Sequence, residues 1–149
     1  MSKPHADRQA WMRILALSAW NDIRDRGDFL CLIVCAVIRP PETGLVMLRG
    51  RMGGSGDAFN FGEATVTRCA VRSAKGHEGH AYVMGRNHAH AQTAAICDAL
   101  MQDETYAARI KSLVLNPLAE ILEGKKRLTA QKAAKTQVDF FTLVRGENE

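Results

Sequence analysis

Glu63-Ala-Thr-Val-Thr-Arg-Cys-Ala-Val-Arg-Ser73 alternates residue by residue. Val66, Arg68, Ala70 and Arg72 fall on one face and Thr65, Thr67, Cys69 and Val71 on the other, which is the period of a β-strand. From Asn87 the period changes: Ala91, Ala94, Ala95, Asp98 and Ala99 recur at helical spacing, with Asn87 or His88 near the start. A sheet followed by a helical second half is the frame into which the flanking segments fit.

Upstream, a strand over 45–52 is followed by the interruption Gly53-Gly-Ser-Gly56, and the alternating strand covers 62–73. Arg39-Pro-Pro-Glu-Thr-Gly44 reads as a turn, because two prolines cannot extend a ladder. The run Leu30 to Ile38 is so continuously apolar that a strand over 30–38 should be covered on both faces and central in its sheet. Trp11, Ile14, Leu15, Ala19 and Ile23 form one apolar stripe of a helix over 8–26, which Gly27 stops.

Downstream, Lys75 to Gly79 is a short turn into a strand over 80–85. Short turns favour antiparallel pairing, since a parallel step needs a long crossover. Helices follow over 88–103, 105–123 and 125–135; Pro117 opens a new helix or kinks one, and Gly124 is a candidate end. Val138-Asp-Phe-Phe-Thr-Leu-Val144 reads as a last strand over 138–144. The expectation is one α+β domain over 1–149, with an antiparallel sheet of four to five strands, an N-terminal helix and C-terminal helices.

Composition bounds the function. At 149 residues, 46% hydrophobic and 24% charged, the chain is neither disordered nor low-complexity. Its longest apolar run, Phe29 to Ile38, has ten residues, half of a bilayer crossing, and the mixed charges of the N-terminus do not make a signal peptide. A cytoplasmic protein without membrane contact is expected. The net charge of +4 fits an anionic small molecule or an acidic partner, while an aromatic content of 6% argues against nucleic acid. The four cysteines include no Cys-x-x-Cys, which favours reduced, buried thiols.

Three sets of residues could carry chemistry. Arg51-Met-Gly-Gly-Ser-Gly56 could cradle phosphate through Gly53, Gly54 and Gly56, but it lacks the Gly-Lys-Ser/Thr ending and following helix of a P-loop; a hairpin loop is the plainer reading. Arg49, Arg51, Arg68 and Arg72 lie on strands or their ends and Arg86 where a strand meets a helix. Arginine suits bidentate anion contacts, and paired middle strands could set Arg49 or Arg51 beside Arg68; the alternative is salt bridges to acids such as Glu42 and Glu63. His77, His80, His88 and His90 flank the last strand, but they form no ordinary ligand set, so no metal is expected and His90 is read as a hydrogen-bonding or interface residue. Asp98, beside apolar residues, is read as a structural partner. The five basic residues between Lys125 and Lys135, with no acid among them, read as a solvated helix face or an anion-docking surface.

Arg51-Met-Gly-Gly-Ser-Gly56, Gly62 to Arg72, Gly85-Arg-Asn-His-Ala-His-Ala91, Asp98-Ala-Leu-Met101 and Val138 to Asn148 occur in that order. Together they resemble the G subunit (PhnG) family of the bacterial carbon–phosphorus lyase system. The resemblance implies a subunit of a two-fold core complex with the H, I and J subunits, assisted by an ATPase-like L subunit. Such a hetero-oligomer, with two copies of this chain, displaces adenine from ATP with a phosphonate such as methylphosphonate, yielding ribose 1-phosphonate 5-triphosphate. ATP and phosphonate are then substrates of the complex, and this chain is expected to bind no cofactor and to complete a site rather than hold the catalytic residues. Arg51, Gly53, Gly54, Gly56, Arg68, Arg72, Arg86 and His90 are the candidates to face substrate anion or a partner, with Phe140, Phe141 and Arg145 as further interface candidates. The family has Asp where this chain has Asn87, a change that a helix cap tolerates. The alternative is a stand-alone anion- or nucleotide-binding module.

Overall fold

The computed structural model describes residues 4–136. Its elements run α1 (Pro4–Leu17), α2 (Trp20–Gly27), β1 (Cys35–Arg51), β2 (Ala58–Ser73), β3 (Glu78–Met84), α3 (His88–Met101), α4 (Glu104–Ile110) and α5 (Asn116–Lys135). The strands form one antiparallel sheet in the order β1-β2-β3, and the helices pack on one of its faces.

Small side chains bring the two layers together. Cys69 and Val71 of β2 and Ala81 and Val83 of β3 meet Ala91, Ala94, Ala95 and Ala99 of α3. Leu15, Ile23 and Leu30 close the core from the N-terminal side, and Ile110, Val114 and Leu118 from the C-terminal side. Each such large side chain contributes about 1.5–3 kcal/mol when fully buried.

Among the described residues the sheet has three strands where four to five are expected. The expected strands over 30–38 and 45–52 are one 17-residue strand, β1, and Arg39 to Gly44 is not a turn but part of it. Register shifts between Val37 and Arg39 and between Arg39 and Glu42 take up Pro40 and Pro41. Among the described residues β1 lies at the sheet's edge, where a missing N–H breaks no ladder. Nor is the apolar run at 30–38 a central strand. Its start belongs to a 3-10 turn, Asp28–Leu32, that buries Leu30, and its end leaves Val37 and Ile38 about half exposed. The central strand is β2. The strand expected over 138–144 lies outside the described residues.

The helix expected over 8–26 is two helices. Ser18 Oγ donates to the Ile14 carbonyl at 2.7 Å, and Ala19 turns extended before α2. The Leu15 carbonyl, freed by that ending, accepts from His90 Nε2 at 2.8 Å. The helices expected over 105–123 and 125–135 are joined: α4 passes through a π-type stretch, Lys111–Leu115, into α5, and Gly124 does not end it. The wider turn lies next to Pro117, whose ring would otherwise press on the carbonyl four residues back.

Two helix starts give testable numbers. Asn87 Oδ1 accepts from the His90 N–H at 3.0 Å, capping α3. Asn87→Ala should cost about 1 kcal/mol and Asn87→Asp close to nothing, measured by denaturant titration. Asp103 caps α4 through the Thr105 N–H and receives Lys75 Nζ at 2.8 Å. Lys75 first, then the Thr105 amide, lower its carboxyl from 3.8 to about 2. The folded form therefore gains stability above the ordinary value and loses it as pH falls toward about 2. Asp103→Asn should flatten the acid side of a stability-against-pH curve across that window.

Candidate interaction face

The helices leave the other face of the sheet open. Cross-strand register places Glu42, Arg68 and Tyr82 in one row on it, Gly44, Val66 and Met84 in the next, and Ala36, Arg72 and Glu78 further along. Val66 and Ala70, on the central strand, are small and shielded by their longer neighbours.

The arginines here are already matched. Arg68 Nε reaches Glu42 Oε1 at 2.6 Å, and Arg39 Nη1 reaches the same oxygen at 3.1 Å. Tyr82 first and then Glu42 raise the Arg68 guanidinium further, while Arg68 holds the Glu42 carboxyl below its usual range. Arg72 pairs with Glu78 through Nε and Nη2, and that hydrogen bond lowers Glu78 likewise. These carboxylates stay charged at neutral pH and serve as anchors rather than as proton donors.

The expected gathering of arginines does not form. Arg49 faces Asn60 and Arg51 faces Ala58, whereas Arg68 faces Glu42. Eight residues of β2 separate the positions of Asn60 and Arg68, roughly 27 Å at strand rise. The glycine segment is the tight connection between β1 and β2. Gly53 has φ 62°, in the region glycine alone enters freely, and a side chain on Gly56 would meet the Met52 carbonyl at 3.0 Å. The Gly56 N–H is spent on that same carbonyl and the Gly56 carbonyl accepts from Arg51 Nη1, so the loop satisfies itself.

Arg86 is exposed beside the start of α3, without a side-chain partner among the described residues. His90 does not reach the open face: it is 6% exposed, and its ring lies 6.1 Å from that of Trp20. His88 Nε2 is 3.1 Å from Thr43 Oγ1. Phe140, Phe141 and Arg145 lie outside the described residues. No group of three His, Cys, Asp or Glu among the described residues could hold a metal. Cys35, Cys69 and Cys97 are free thiols, and burial pushes Cys97 up to about 12.

What sequence reading missed is the apolar character of the hairpin. Leu45, Met47, Phe59 and Phe61 stand exposed on it, with Phe61 stacked over Gly50 and edge-on to Phe59. The signal was the uninterrupted Leu45-Val-Met-Leu48 beside Phe59-Asn-Phe61, too apolar for a hairpin facing water on both sides. No helix among the described residues is long and apolar enough to cross a membrane.

Comparison with known proteins agrees with the order of motifs. Residues 6–146 match the family described as phosphonate metabolism protein PhnG. The alpha-D-ribose 1-methylphosphonate 5-triphosphate synthase subunit PhnG of Rhizobium meliloti (strain 1021) is 43% identical over 150 residues, spanning 96% of this chain and 92% of that protein.

Proposed function

The chain belongs to the PhnG family of phosphonate metabolism proteins, and from that membership we propose that it is one subunit of an enzyme joining a phosphonate to the ribose of ATP. The observation that carries this reading is the 43% identity, along nearly the whole of both chains, to a subunit of the synthase that makes alpha-D-ribose 1-methylphosphonate 5-triphosphate. In the reaction a phosphonate oxygen bonds to C1′ while the C1′–N9 bond breaks. Adenine leaves with the bonding pair and takes up a proton, and the 5′-triphosphate is retained. ATP carries its base on the β face and the product named for the relative is α, so attack comes from the side opposite adenine.

The partners are the H, I and J subunits of carbon–phosphorus lyase, with an ATPase-like L subunit and two copies of this chain, in the cytoplasm. The chain supports a site rather than holding the reacting groups. Two features favour that role: the carboxylates of the open face are bound to arginines, and a large apolar hairpin stands uncovered. Arg86, which has no side-chain partner among the described residues, and Arg51, which keeps donors beyond its one bond to the Gly56 carbonyl, are the candidate arginines that meet an anion or a partner, while Phe140, Phe141 and Arg145 add to the interface.

Co-expression with the H, I and J subunits from the same genome, followed by size-exclusion chromatography, tests the assignment. One large species containing this chain is expected. If the other three assemble and this chain elutes alone, the subunit reading fails and the stand-alone binding module replaces it.

A further inference from the structure

No described residue from Gly44 to Glu63 is buried, although the segment holds Leu45, Val46, Met47, Met52, Phe59 and Phe61. Met52 is 79% exposed, Leu45 64% and Phe61 59%. A two-stranded hairpin with both faces in water is marginally stable by itself. This one spends its apolar side chains on solvent.

The outer edge of β1 adds to that. Because the order is β1-β2-β3, β1 has a strand on one side only, and its outward N–H and C=O groups have none to pair with among the described residues. Pro40 and Pro41 blunt the near end of the edge, but Thr43 to Arg51 contains no proline and no lysine. Edges that avoid pairing usually carry such residues along their length.

Area and charge indicate what covers the hairpin. Its six apolar side chains, Leu45 and Met47 on one face, Val46, Phe59 and Phe61 on the other and Met52 at the turn, expose roughly 700 Å² in all, close to the ~800 Å² one partner contributes to a stable interface. Between Thr43 and Glu63 the charges are Arg49, Arg51, Asp57 and Glu63, which cancel. Polyanions gain nothing from such a surface, whereas an uncharged polypeptide does.

We infer that Thr43 to Arg51 of β1 is a strand-addition site for another subunit of the complex. An extended, proline-free, uncharged segment pairs along the outer edge, and its alternate side chains cover Leu45 and Met47 on one face and Val46 and the Phe61 ring over Gly50 on the other. The inference rests on the subunit reading and deepens it by naming the face and the kind of partner.

The test uses the co-expressed complex and amide hydrogen exchange. Amides of 43–51 should exchange about tenfold or more slowly in the complex than in the isolated chain. Leu45→Lys/Met47→Lys changes only exposed side chains, so the isolated chain should keep its melting temperature. Its recovery with the other subunits should fall about tenfold or more, while the control Leu113→Lys/Leu128→Lys, equally exposed, assembles as wild type. Normal recovery of the hairpin variant, or no added protection at 43–51, overturns the inference and leaves the subunit reading standing. The same protection in a dimer of the isolated chain overturns it in favour of a second copy. A wild-type chain that joins no complex brings down both readings.

Discussion

Replacing Gly79 with alanine should lower the melting temperature by on the order of 10 °C. Gly79 lies in β3 and faces α3, where an added methyl would sit 2.0 Å from the Ala95 carbonyl oxygen, 2.5 Å from the Ala99 nitrogen and 2.8 Å from the Ala99 methyl. No flexible side chain can swing aside to make room. The helix itself must retreat, and it retreats from the seam where Ala91, Ala94, Ala95 and Ala99 hold it against the sheet. Overpacking a core costs about 1–3 kcal/mol, and a collision with backbone belongs at the top of that range. Thermal unfolding of the purified variant measures it; an unchanged midpoint would contradict the close approach of β3 and α3.

Asp98→Ala should cost about 3–5 kcal/mol, since it removes the acceptor that ties three elements together. Asp98 is fully buried in α3. It accepts from Arg8 Nε at 3.0 Å and Arg8 Nη2 at 2.6 Å, from Trp11 Nε1 at 2.8 Å and from the His80 N–H at 2.9 Å. Every buried side-chain nitrogen and oxygen among the described residues has a partner, so the variant would create the first orphans. The Trp11 and His80 donors would lose their acceptor in the interior, while Arg8, one-third exposed, could turn toward water. Urea titration should show a lower midpoint, and a loss below about 1 kcal/mol would mean that α1 does not depend on this contact.

Both positions show how far the sequence could be read. The alanine face of α3 was visible in its spacing, and Asp98 on that face was legible as a structural partner. Its donors were not, because Arg8 and Trp11 are about 90 residues away in the chain. The two faces of β2 and the cap at Asn87 were readable because each rests on local periodicity or local hydrogen bonding.

The failures share a cause: tertiary position overrode a local signal. Pro40 and Pro41 end a strand only where their missing N–H would have been used, and edge placement removes that need. The apolar run at 30–38 carries no mark of where the 3-10 turn stops and the edge strand begins. Arg68 was a reasonable anion ligand until the register put Glu42 opposite it. The free hairpin depends on which segments lack a helix beneath them, and composition does not record that.

The most direct measurement is adenine release from ATP in the presence of methylphosphonate, by the co-purified complex with and without this chain. Rapid release with the chain, and loss of it when the chain is omitted and restored when it is added back, is the result expected of a required subunit. Equal release in its absence would contradict that role.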